Sequence, residues 1–184
     1  MLRAVFGLLI ALMIARPVAA DSTGRREIDP AASHARFSVQ HIYVDRVTGT
    51  IPILRGAVVL PENSVLPLSV SAELDPSRIK SADDDRDAAL QGPDWFDVKR
   101  FPIWTFVSAK ITATAKDEFA MDGLLTIHGV ARSQRLDVTV GGTPAHPVYH
   151  ATGTIDRHAF EMTVTRLDPV IGNPVDVTLD IALR

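Results

Sequence analysis

Cysteine is absent from the 184 residues, which removes a disulfide framework, a thiolate metal site and a cysteine nucleophile together. Stability must then come from a hydrophobic core, and this length suits one domain built on a single core. No Gly-x-Ser-x-Gly elbow, glycine-rich phosphate loop or His-Glu-x-x-His pair occurs, so the common signatures of hydrolase, nucleotide and zinc-protease chemistry are missing. A cationic surplus is missing too. The net charge is −3, and the short runs Arg25-Arg26 and Lys99-Arg100 are isolated, which argues against a nucleic-acid partner.

Long apolar runs are lacking except near residue 1. There, Met1-Leu2-Arg3 is a basic start, residues 4–15 are apolar, and Arg16 closes the run. It is shorter than the roughly 20 residues of a spanning helix. Val18-Ala19-Ala20 is a small-residue cleavage site. The expectation is a cleavable signal peptide over 1–20, cut after Ala20, and a mature domain over 21–184. Losing Arg3 and Arg16 with no acid takes the charge from −3 to −5. No cysteine follows the site to carry a lipid anchor.

What is present is strand after strand. Phe37, Val39, His41 and Tyr43 alternate with polar residues, the period of a half-buried strand. The same alternation runs through Leu66, Leu68, Val70, Ala72 and Leu74, through Trp104, Phe106 and Ser108, and through Phe119, Met121, Gly123, Leu125 and Ile127. It continues in Leu136, Val138 and Val140, and is cleanest in Val175, Val177, Leu179, Ile181 and Leu183. Pro61-Glu62-Asn63, Asp122-Gly123, Gly141-Gly142 and Gly172-Asn173-Pro174 read as turns. The pattern predicts an all-β antiparallel sandwich or barrel. One segment departs from it: Ser81, a capping residue, precedes the acids Asp83, Asp84, Asp85 and Asp87, and Gly92-Pro93 stops the run. That is one short inserted α-helix.

Candidate chemistry is sparse. The six histidines are scattered, and Pro147 between His146 and His150 denies them a shared helical face, so no metal site is expected. The aspartates at 83–85 lack the alternation and glycine of a calcium loop and suit a helix start instead. His41 falls in phase with Phe37 and Val39 and should face the interior. It is either a satisfied core histidine or a polar contact for a guest. His128, out of phase beside Gly129, suits a turn. Aromatics concentrate at Trp95, Phe96, Phe101, Trp104 and Phe106, as packing or as the wall of a pocket. A filled and a hollow barrel read alike at this stage.

Four ordered motifs carry a resemblance. Ile28-Asp29-Pro30-Ala31 with Ser33 and Phe37-Ser38-Val39-Gln40-His41 opens it. Arg86-Asp87 with Leu90, then Trp95-Phe96-Asp97-Val98-Lys99-Arg100-Phe101-Pro102 and Thr105-Phe106-Val107-Ser108, follows. Gly123-Leu124-Leu125-Thr126-Ile127-His128-Gly129-Val130 is third, and Thr154-Ile155-Asp156-Arg157 with Phe160 and Met162 is last. Together they resemble the YceI-like family across almost the whole mature chain. Glu161 departs from it, standing where many relatives have glycine.

The resemblance implies an extended lipocalin-like antiparallel β-barrel of about eight strands, enclosing a polyisoprenoid-type lipid such as an isoprenoid quinone. It implies a periplasmic carrier or store, with no catalysis and no cofactor beyond that lipid. The expected ligand-binding set is Phe37, Val39, His41, Phe96, Trp104, Phe106, Leu125, Ile127, Phe160 and Met162. Expected associations are transient membrane contact, a monomer or homodimer, and a membrane oxidoreductase partner. The alternatives are a stress-response protein with a packed barrel and, further off, a lipid-modifying enzyme working through His41 or Asp156.

Overall fold

The two-residue alternation becomes backbone in the computed structural model, which describes residues 23–41, 45–163 and 169–184. The expected leader and Tyr43 lie outside these residues. Ten strands form: β1 (Thr23–Glu27), β2 (His34–His41), β3 (Asp45–Thr50), β4 (Ile53–Pro61), β5 (Ser69–Leu74), β6 (Trp104–Ala115), β7 (Glu118–Ile127), β8 (Val130–Thr143), β9 (His146–Asp156) and β10 (Ile171–Ala182). Helix α1 (Asp84–Gln91) interrupts them between β5 and β6.

All strands join one antiparallel sheet in the order β1-β4-β5-β6-β7-β8-β9-β10-β2-β3. The sheet curls into a half-barrel, and its first strand is stitched to its interior at one end. Ile28 N–H donates to Gly56 O of β4 at 2.9 Å, while Asp29 N–H donates to Ala182 O of β10 at 2.9 Å and Arg184 N–H to Glu27 O at 3.0 Å. At the other sheet edge, Thr50 and Lys80 exchange both main-chain hydrogen bonds, at 2.8 and 3.0 Å, which ties β3 to the segment leading into α1.

Inward residues follow the predicted alternation. Phe119, Met121, Leu125 and Ile127 of β7, and Leu136 and Val138 of β8, are all buried. Burial of side chains this size is worth about 1.5–3 kcal/mol each, so this face holds the sheet in its curl.

The structure corrects several expectations. Ten strands replace about eight, the excess being the short strands β1 and β3 at the two sheet edges. Helix α1 is capped by Asp83, whose carboxylate accepts from Arg86 N–H, whereas Ser81 is engaged with Asp87. Leu68 is exposed because Pro67 breaks the run before β5 begins. Three glycine pairs or runs read as turns lie inside strands. Gly123 sits in β7 because a Cβ there would collide with the Phe106 ring and with Val107 O. Gly141-Gly142 lies in β8, and Gly172-Asn173-Pro174 in β10, where the register with β2 shifts between Ile171 and Val175. The β7–β8 turn is instead His128-Gly129, both at positive φ (53° and 75°), the geometry of a two-residue hairpin. His128 thus serves the turn.

Glu161 holds φ +61° at the end of the 3-10 turn His158–Phe160. A left-handed residue with a Cβ is strained there and glycine is not. Glu161→Gly should therefore raise stability by about 0.5–1 kcal/mol, read as a higher urea midpoint with an unchanged slope.

Candidate functional site

Inside the half-barrel lie two adjoining chambers with six lining residues in common. The inner one, of about 140 Å³, is walled by β2 and β4–β10, with Val58, Val70, Ala72, Phe106, Leu136, Val138 and Ala151 among its lining. Its polar lining residues are Arg36, Gln134 and Tyr149, and each has a partner. Arg36 pairs with Asp180 on the outer face. The Gln134 amide donates to Arg135 O at 2.7 Å and Thr154 O at 3.2 Å. Tyr149 OH donates to Val65 O at 3.0 Å, and burial pushes its pKa up to about 12, so it stays protonated.

The outer chamber, of about 350 Å³, lies at the α1 end. β2 supplies Phe37, Val39 and His41, α1 supplies Arg86, Ala89 and Leu90, and the following loop supplies Trp95 and Phe96. Arg157, Met162, Ile171 and Val175 complete the far wall. Phe37, Ile51, Trp104, Ile127, Ile155 and Val177 line both chambers and form the waist between them. Trp104 is set by an edge-on contact with Phe96 at 4.7 Å, and its indole N–H is buried without an acceptor.

Two polar clusters hold the outer wall. Asp87, the buried residue of α1, accepts Ser81 N–H at 2.8 Å and Ser81 Oγ–H at 2.6 Å, and the Ser81 hydroxyl bond holds its carboxyl below the usual range against the opposing cost of burial. Arg86 donates from Nε to Ser81 Oγ at 2.9 Å and from Nη2 to Ser81 O at 2.7 Å. Its Nη1 lies 3.9 Å from Asp83 Oδ2, beyond hydrogen-bond reach. Arg157, 2% exposed, donates to three main-chain carbonyls: Gly172 O at 3.0 Å, Met162 O at 2.6 Å and Ile171 O at 3.0 Å. Its guanidinium lies 6.0 Å from the Trp95 ring centre. This one side chain ties the 3-10 turn to the start of β10.

Of the sequence-predicted set, Phe37, Trp104 and Ile127 line the waist. Val39, His41, Phe96 and Met162 line the outer chamber, and Phe106 and Leu125 the inner one. Phe160 lines neither. It is 2% exposed in the core at the 3-10 turn, behind the chamber wall. Sequence reading missed the waist residues Ile51 and Ile155, the inner-wall residues Leu136, Val138, Tyr149 and Ala151, and Arg86 and Arg157. The alternation of β8 signalled Leu136 and Val138 as inward, but no local pattern marks which inward residues face space.

The arrangement suits an elongated apolar guest. The outer chamber alone falls in the roughly 300–1,000 Å³ range of ligand pockets. An apolar cavity of the inner chamber's size stays dry. Leaving it empty forgoes on the order of 3 kcal/mol of packing. Among the described residues, no group of three or more His, Asp or Glu side chains is placed to hold a metal ion.

Comparison with known proteins gives the same frame. A sequence profile described as the YceI-like domain matches residues 27–183. A UPF0312 protein of Staphylococcus aureus is 30% identical over 139 residues, covering 72% of this chain and 78% of its own. Among solved structures, BcnA of Burkholderia cenocepacia superposes with a TM-score of 0.76 at 23% identity, covering 84% of this chain and 98% of its own. A polyisoprenoid-binding domain from Saccharophagus degradans, implicated in plant cell wall breakdown, superposes with a TM-score of 0.67 at 14% identity, covering 86% and 97%.

Proposed function

Because this chain belongs to the YceI-like family, we propose that it is a non-catalytic carrier or store for a polyisoprenoid-type lipid, held along the two chambers. The observation that carries the reading is the pair of adjoining, mainly apolar chambers, kept open at a cost in packing. The polyisoprenoid-binding relative of similar fold supports the ligand class. The leader pattern over residues 1–20 supports export to the periplasm, with the lipid taken up in transient contact with a membrane.

The energetics fit exchange with a bilayer. Burying a CH₂ from water is worth about 0.8 kcal/mol, so a long chain would nominally exceed any observed affinity. The competing site is the membrane, however, and transfer between two apolar phases is nearly neutral. Retention is then decided by shape, branched-methyl packing at the waist, and a few polar contacts.

The test is mass spectrometry of an organic extract of the protein purified without detergent. A stoichiometric isoprenoid is expected. A folded, monodisperse protein that is lipid-free, and stays so after incubation with quinone-containing vesicles, would leave the packed-barrel reading in its place.

A further inference from the structure

The two chambers differ in what their polar groups have left to offer. In the inner chamber the Tyr149 hydroxyl and the Gln134 amide donate to protein carbonyls, and the Arg36 guanidinium is drawn to Asp180. In the outer chamber the Arg157 guanidinium is likewise spent on three carbonyls. Besides the Trp104 indole N–H at the waist, buried without an acceptor, two donors there remain open. His41 ends the inward row of β2 and lines the chamber, and its imidazole has no hydrogen-bond partner among the described residues. Arg86 presents Nη1 with Asp83 no nearer than 3.9 Å. No carboxylate occurs among the described residues lining either chamber. The acids beside these donors, Asp45 across the β2–β3 pair from His41 and Asp83 and Asp87 around Arg86, stand outside the lining.

From this asymmetry we infer that the lipid is held in one direction, with its tail past the waist in the inner chamber and its head group beside α1. The head group is one whose oxygen accepts hydrogen bonds from His41 and Arg86. A head that only donates can pair with one ring nitrogen of His41 but finds nothing at Arg86, which has no acceptor, and a head pushed past the waist into the inner chamber would leave its oxygen unbonded in an apolar space. A carbonyl and a phosphate share the required chemistry, and a hydrocarbon lacks it. The inference rests on the lipid-carrier reading.

The chain carries its own reporter, because its two tryptophans both line the outer chamber and Trp95 lines that chamber alone. The experiment titrates the full chain with three isoprenoids of equal tail length, bearing a quinone head, a phosphate head or no oxygen, and reads affinities by equilibrium dialysis. At least one oxygenated ligand should bind about tenfold or more tighter than the hydrocarbon, and whichever leads names the head group. In His41→Phe and Arg86→Met that ratio should fall towards one. In Trp104→Phe, the quinone should quench the remaining Trp95 emission. Equal affinities for all three ligands, or ratios untouched by both substitutions, would overturn the orientation while leaving a lipid carrier. Failure of the chain to bind any of the three would overturn the carrier reading itself.

Discussion

Arg157→Met should lower the stability of the fold by about 3–5 kcal/mol, measured as a fall in the urea midpoint. The guanidinium is buried and answers three carbonyls that come from two separate stretches, Met162 on one side and Ile171 and Gly172 on the other. Removing it strands those acceptors, each at a cost of about 1–3 kcal/mol where water cannot reach. Arg157→Lys should recover only part of the loss, because an ammonium cannot span three carbonyls set around a planar fork. The wall of the outer chamber should fail with it, since Trp95 stands against this guanidinium and Met162 and Ile171 line the same space. A loss under about 1 kcal/mol would mean that those carbonyls find other donors, and Arg157 would not be the tie described.

Filling the inner chamber should separate its role from that of the fold. Ala151 of β9 is buried and faces that space, so Ala151→Phe places a ring where the tail is proposed to lie. If the space is as free as it measures, the added surface should nearly offset strain, which for overpacking runs about 1–3 kcal/mol. The melting midpoint should then move by only a few degrees. Lipid recovered in an organic extract should drop to about a tenth or less of the unsubstituted protein's, a loss of at least roughly 1.4 kcal/mol in retention. A substitution at Thr152, the next residue and on the outer face, should leave the recovered lipid unchanged. Full recovery from Ala151→Phe would place the tail elsewhere.

The strands were legible because a sheet with one face on the core writes its geometry at period two, and β7, β8 and the second half of β10 follow that rule over most of their length. Helix α1 was legible from its acids and from Gly92. The glycines misled for a physical reason: Asp122-Gly123 has the composition of a turn, but the missing Cβ serves the Phe106 ring lying over the strand. Similarly, Gly172-Asn173-Pro174 marks a shift of register rather than a reversal. At the site, inward phase identified part of the chamber wall, yet phase cannot tell a residue facing space from one facing another side chain. Phe160 shows the limit, being buried and in a shared motif, yet behind the wall. Arg157 was quoted in that motif without a role, because its partners are main-chain carbonyls and carbonyls leave no trace in residue identity.

The stitch between β1 and the end of β10 has a kinetic side. Glu27 with Arg184, and Asp29 with Ala182, are drawn from opposite extremes of the described chain, so closing that seam restrains a loop spanning nearly the whole domain. Sheets dominated by such distant pairings fold on the order of milliseconds to seconds, and the hairpins from β6 to β9, joined by short turns, can assemble well before the seam. During that interval the walls of the two chambers are incomplete. On the proposed function, a lipid present while the chain folds would be wrapped by it, whereas one arriving afterwards would have to enter chambers already walled.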